Sequence, residues 1–172
     1  NICQTVTDLE HSTAADKALW DNGFSYRYVD EDGTELYFKK DDGKDETGKG
    51  LTISKSGSEC VITDKKDNKL TFNSNGWLTK LTDVNGNVLQ IAHNSAGQPT
   101  AVTTATGQKI TLNYTSVGGW LADIQASAYS QSVRYDYYGN GYLSRSERSS
   151  GNDTGYRYSG SLLDGIQDTT SC

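Results

Sequence analysis

The residues best suited to move a proton near neutrality are the two histidines, His11 and His93. A catalytic histidine needs a nucleophile and an orienting carboxylate; the chain has many Ser and Asp residues but no Gly-x-Ser-x-Gly elbow. His93 also falls at a spacing otherwise occupied by Phe72, Tyr114 and Tyr135, which reads as an aromatic-sized packing role. The acidic runs Asp30-Glu-Asp-Gly33 and Asp41-Asp-Gly-Lys-Asp-Glu46 raise calcium chemistry. An EF-hand loop wants its glycine sixth, whereas Gly33 stands fourth from Asp30, so these runs read as solvated hairpin tips. Paired carboxylates for glycoside cleavage are defined by their separation in space. Most Asp and Glu here fall in turns, where solvated charge is expected. Trp77, Trp120 and Tyr142 follow turn glycines, and flat rings on a sheet surface can stack on sugars. The competing reading, which we favour, has these rings covering the core at hairpin ends.

These side chains belong to a chain of 172 residues, about one domain, with a formal charge of -6 and no basic cluster interleaved with aromatics. Nucleic acid is therefore not an expected partner. No apolar run is long enough for a bilayer, and no charged start followed by an apolar stretch stands at Asn1, so the chain reads as soluble. It begins without Met, which reads as a processed product or a fragment. Cys3, Cys60 and Cys172 are far apart and lack metal-ligand spacing. Disulfide pairing of Cys3 with Cys60 or with Cys172, and three free thiols, all stay open. The residues assign no catalytic group, no metal and no cofactor.

The elements that position these groups are mostly strands. Eleven Tyr, 3 Trp and 18 Gly against a single Pro point to rings and β-branched residues on sheets, with glycine at the turns. Residues 1–23 differ: Thr13-Ala-Ala-Asp-Lys-Ala-Leu-Trp20 predicts a short helix capped by Ser12 and stopped by Gly23. Residues 24–60 read as lead-in hairpins, with runs such as Phe24-Ser-Tyr-Arg-Tyr28 and Glu35-Leu-Tyr-Phe38. Residues 61–172 repeat. Phe72, His93, Tyr114 and Tyr135 recur every 21 residues, and Tyr158 follows after 23. Gly76, Gly97, Gly118 and Gly139 each stand four residues beyond a ring. Leu70, Ile91, Leu112, Val133 and Tyr156 stand two before, on the same strand face by period-2 alternation. Short connections such as Asn85-Gly86 make neighbouring strands antiparallel. The expected fold is all-β: a long, twisted and coiled antiparallel meander of hairpin repeats with a short amino-terminal helix. Its end strands need cover, from the helix or from edge-to-edge dimerisation.

The segment Tyr135-Asp136-Tyr-Tyr-Gly139-Asn-Gly-Tyr-Leu143 resembles the signature of the YD-repeat, or rearrangement-hotspot, family. Leu70 to Asn87 is similar to the non-literal repeats of bacterial wall-associated proteins of that family. Tyr28-Val-Asp-Glu-Asp-Gly-Thr-Glu-Leu-Tyr-Phe-Lys-Lys40 is similar to their lead-in segment in Gram-positive bacteria. Only Tyr135-Asp136 is a literal pair; its counterparts are Phe72-Asn73, His93-Asn94, Tyr114-Thr115 and Tyr158-Ser159. The resemblance implies spiralling sheet shells, some enclosing a toxic carboxy-terminal domain, and cell-surface contact in the related teneurins. This array is too short to close a shell, and no self-cleavage element precedes Cys172, so toxin processing does not carry over. The implied role is a non-catalytic, extracellular or cell-wall scaffold within a larger secreted or surface protein. Its partners would be other parts of that protein, or a surface protein or glycan. The alternative is a carbohydrate-binding module using Trp77, Trp120 and Tyr142.

Overall fold

The structure, a computed structural model, describes residues 4–170. Cys3 and Cys172 lie outside the described residues, and with them the pairing considered for these cysteines; Cys60 carries a free thiol. The chain is all-β apart from one helix, and it forms two compact units, Asn1–Pro99 and Thr100–Cys172.

In the first unit, β1 (Thr5–Asp8), β2 (Phe24–Val29) and β3 (Glu35–Lys39) make a three-stranded antiparallel sheet in that order, with α1 (Ala14–Asp21) between β1 and β2. Strand β1 lies in a segment expected to hold only a helix. Its signal was the β-branched run Thr5-Val-Thr7, whose Val6 is buried. The helix is capped by Thr13 rather than Ser12. The backbone of Thr13 is extended, its hydroxyl accepts from the Asp16 N–H at 3.2 Å, and the Asp16 carboxylate accepts in return from the Thr13 N–H at 3.3 Å. Ser12 serves the same carboxylate, donating its hydroxyl at 2.7 Å. Hydrogen bonds from Ser12 and Thr13 hold the buried Asp16 carboxyl below the ordinary carboxylate range. Thr13→Ala should cost about 1 kcal/mol in urea unfolding. Because the folded value of Asp16 is depressed, its contribution is complete above 3.8 and is lost as pH falls through that lower value. Acid melts of Asp16→Asn should lack that component.

The acidic runs read from the sequence as solvated tips, and at Asp45 the structure differs. Asp45 is buried, and its carboxylate accepts from the Thr47 hydroxyl at 2.7 Å and from the N–H groups of Lys49, Gly50 and Leu51 at 2.8 Å each. One side chain thereby satisfies the backbone of a loop that cannot form ladder bonds.

Twelve further strands follow in chain order in a second antiparallel sheet. The first unit contributes β4 (Thr52–Ser56), β5 (Glu59–Thr63), β6 (Lys69–Phe72), β7 (Leu78–Thr82) and β8 (Val88–His93). Ile53, Ile62, Leu70, Leu81 and Leu89 face one another across these strands, as do Cys60, Phe72 and Leu78. The three-stranded sheet covers this face. The Tyr28 ring meets Phe72 edge-on at 5.9 Å, and Val6, Tyr28, Leu36, Phe38, Ile53, Ile62, Phe72, Leu78 and Ile91 are buried.

The second unit holds β9 (Pro99–Thr104), β10 (Lys109–Tyr114), β11 (Leu121–Ala126), β12 (Gln131–Tyr137), β13 (Leu143–Arg148), β14 (Asn152–Ser159) and β15 (Leu162–Thr170). Cross-strand partners share a face, so the register separates two surfaces. One is polar: Asn113, Asp123, Arg134, Glu147 and Asp153 stand in a row, with Arg145 paired to Asp153. The other is apolar: Leu112, Ile124 and Val133 in one row, Ile110 and Ala126 beside them, and Tyr156 opposite Ile166. Among the described residues of this unit only Ala101 is a buried hydrophobic; Ile110 is 44% and Ile166 62% exposed. On this face Ile110 and Ile166 are exposed and Leu112, Ile124 and Val133 half-buried.

Candidate functional site

The recurring chemical unit is the hairpin loop with the ring that ends it. In the loop Asn73 to Trp77, the Asn73 N–H donates to the Trp77 carbonyl at 3.0 Å and the Gly76 N–H to the Asn73 carbonyl at 2.9 Å. The Asn73 side chain accepts from the N–H groups of Asn75 and Trp77. Loops opened by Asp64, Asp83 and Asn94 repeat the arrangement. In the pairs Phe72-Asn73 and His93-Asn94 the side-chain oxygen of the second residue therefore closes the turn.

The register differs from the sequence expectation at one repeat. Strand-pairing irregularities fall at Phe72, Tyr114, Tyr137 and Tyr158, so the ring column passes through Tyr137 and not Tyr135. The loop that follows runs from Tyr138 to Tyr142, with Gly141 at φ +87° in the position expected for Gly139. Tyr135 and Val133 lie further back along the same face, and Asp136, the second member of the literal pair, sits in β12 at 3.7 Å from Arg134. Period-2 alternation explains the slip. Tyr135 and Tyr137 point to one face, and Gly139 and Gly141 are also two apart, so a shift of two residues keeps a ring, a glycine and the strand face in place.

Rings stack across successive hairpins. Trp77 meets His93 with centroids 5.6 Å apart, Trp120 meets Tyr137 at 5.3 Å, and Tyr142 meets Tyr158 at 4.9 Å. All six rings are half-buried and the pairs are tilted by 32–40°. The indoles rest on glycines. A Cβ on Gly97 would come within 2.8 Å of Trp77, and one on Gly118 or Gly141 within 2.6 or 2.8 Å of Trp120. The structure thus brings each sequence-selected ring, Trp77, Trp120 and Tyr142, against the aromatic residue of the next hairpin. Leu70, Ile91, Leu112 and Tyr156 lie in strands β6, β8, β10 and β14.

His93 is packed on Trp77, and burial holds its imidazole below the ordinary 6.5. The unfolded chain therefore binds that proton more readily, so stability is complete above 6.5 and falls as pH drops through 6.5 towards the folded value. His93→Phe should remove this component, read as a smaller difference between urea midpoints at about pH 7 and about pH 5. Cys60 lies beside Tyr26; burial pushes the thiol up, away from the thiolate a nucleophile needs, and the Tyr26 hydroxyl is pushed up to about 12 by burial and by Cys60. Asp8, Glu10 and His11, a grouping that spacing alone did not mark, bring ligand atoms within 4.8 Å of one another at an exposed corner. The His11 Nδ1 there stands 3.4 Å from the Asp8 carboxylate and 3.9 Å from that of Glu10.

An antiparallel sheet grown hairpin by hairpin, with side-chain-closed loops and rings stacked from one repeat to the next, defines a β-repeat wall. Residues 57–167 match the family model described as Teneurin YD-shell, and the chain belongs to that family. None of the curated proteins matches the chain. Among solved structures it is similar to the crystal structure of TcdB2-TccC3-TEV, with a TM-score of 0.50 and 16% identity over 85% of this chain. That likeness is one of fold, and this chain spans 8% of the length of that one. Among the described residues no helix is long and apolar enough to cross a membrane.

Proposed function

We propose that this chain is a non-catalytic wall segment of a larger secreted or cell-surface protein, and that its second unit seats further polypeptide of that parent protein. The supporting observation is the difference between two equivalent sheet faces. The face built from Ile53, Ile62, Phe72 and Ile91 is buried beneath a sheet that presents Tyr28, Leu36 and Phe38. On the face carrying Ile110, Leu112, Ile124, Val133 and Ile166 none of these side chains is buried among the described residues, and Ile110 and Ile166 are exposed. Its occupant is a segment of the same texture, with rings and aliphatic side chains at alternate positions. On this basis residues 1–23 cap the array, 24–60 lead in, 61–172 build the wall, and Leu70, Ile91, Leu112, Val133 and Tyr156 form its apolar rows. Delivery of a toxic domain belongs to the parent protein.

Ile110→Cys and Ile166→Cys test the proposal by thiol labelling. Both should react quickly in the 172-residue chain and slowly in the longer parent protein. Equal reactivity in the two contexts would reject the occupant. The second reading, sugar stacking on Trp77, Trp120 and Tyr142, draws on their partial exposure. Trp120 is already engaged by Gly118, Gly141 and Tyr137, which leaves its faces less free. Glycan-array binding that Trp120→Ala abolishes would favour that reading over the wall.

A further inference from the structure

The three ring stacks are geometrically alike but chemically different. Trp77–His93 joins an indole to an imidazole, and Trp120–Tyr137 an indole to a phenol. Tyr142–Tyr158 joins two phenols, with centroids 4.9 Å apart and planes 32° from parallel. We propose that Tyr142 and Tyr158 are a modification site, where a peroxide-driven one-electron oxidant links the two rings as dityrosine and ties the β12–β13 hairpin to the β14–β15 hairpin.

The surroundings fix the pair in that arrangement. Tyr142 closes its loop by accepting the Tyr138 N–H on its carbonyl at 2.8 Å, and its own N–H donates to the Asn140 side chain at 3.1 Å. Tyr158 sits at the irregularity of β14 opposite Leu163. On its other side stands Tyr138, edge-on at 6.2 Å and 89°, with its hydroxyl donating to the Tyr156 carbonyl at 3.0 Å. The Tyr138 ring stands nearly perpendicular to Tyr158 and farther off, whereas the Tyr142 ring is closer, at 4.9 Å, and nearer to parallel, the better arrangement for joining two ring carbons. Both members of the pair are half-exposed, so an oxidant can reach them.

In the reaction each phenol gives up one electron and one proton. The two phenoxyl radicals form a carbon–carbon bond between ring positions ortho to the oxygens, and the displaced ring hydrogens return to those oxygens. The protein loses two hydrogens in all, and they reduce one hydrogen peroxide to two waters. The new bond closes a loop from residue 142 to residue 158, which restricts the unfolded chain as a disulfide would. It falls in the unit with least buried apolar surface, where a covalent tie has most to add.

To test this, the full chain is treated with hydrogen peroxide and a haem peroxidase. The expected product is a monomer two hydrogens lighter, with blue dityrosine emission and a digest fragment joining the Tyr142 and Tyr158 peptides. Tyr142→Phe and Tyr158→Phe keep the ring and the β-sheet circular dichroism but lose the product. Tyr129→Phe removes the most exposed tyrosine, at 69%, and retains it. Emission from monomer that survives either Tyr142→Phe or Tyr158→Phe would overturn the assignment, as would a map of the unsubstituted chain showing only links between chains.

Discussion

Gly76→Ala should destabilise the first unit by on the order of 3 kcal/mol, although the substitution adds a single methyl group. Two costs combine. Gly76 holds φ +76°, a left-handed conformation that charges an L-residue about 1–2 kcal/mol. The added Cβ would also lie 2.0 Å from the Val6 carbonyl oxygen, a backbone atom with no rotamer to change. Relief requires β1 to move, which breaks the bond from the Val6 N–H to the Gly76 carbonyl at 2.9 Å and the bridge between Thr5 and Trp77. Gly86→Ala separates the two costs. It has φ +82° and open space about the site, so it should lose only about 1–2 kcal/mol. Urea unfolding gives the energies, and hydrogen exchange at Val6 should accelerate in Gly76→Ala alone.

Gly76 also shows how far the sequence could be read. Its place in a repeating column marked it as a turn residue, and the turn is there. That a strand from the amino terminus runs across it depends on a contact between residues seventy positions apart, which no local spacing records. The hairpins opened by Asn73, Asp83 and Asn94 were legible because each is closed by its own residues: the Asp or Asn opens the loop, a glycine sits three later, and alternation sets the face. Tyr137 was misplaced onto Tyr135 because alternation cannot distinguish positions two apart. Thr13 took the cap from Ser12 because the reciprocal bond with Asp16 requires a spacing of three. Asp45 was hidden for a different reason. Its type and neighbours are those of a solvated tip, and only the folded loop shows that four donors surround it. The ring stacks lay between these cases: the sequence marked the rings, but not that each one's partner belongs to the following hairpin.

Phe72→Ala should cost about 3–5 kcal/mol, because Phe72 is fully buried and the cavity would open between two sheets that both present rigid ring and strand packing. Tyr28, which meets Phe72 edge-on, would lose its partner, and the burial that pushes its hydroxyl upward would weaken. Ile166→Ala removes a side chain of comparable apolar character from the other apolar face, yet it should change stability by no more than about 0.5 kcal/mol. The reason is that Ile166 is 62% exposed and buries little surface that truncation could return to water. The ratio of these two losses, measured by urea unfolding, is a direct gauge of which face is a core and which awaits one. In the longer parent protein proposed for this chain, the cost of Ile166→Ala should rise towards that of Phe72→Ala, since the same methyl groups would then be covered. A cost for Ile166→Ala that stays small in both contexts would mean that nothing of the parent rests on this face.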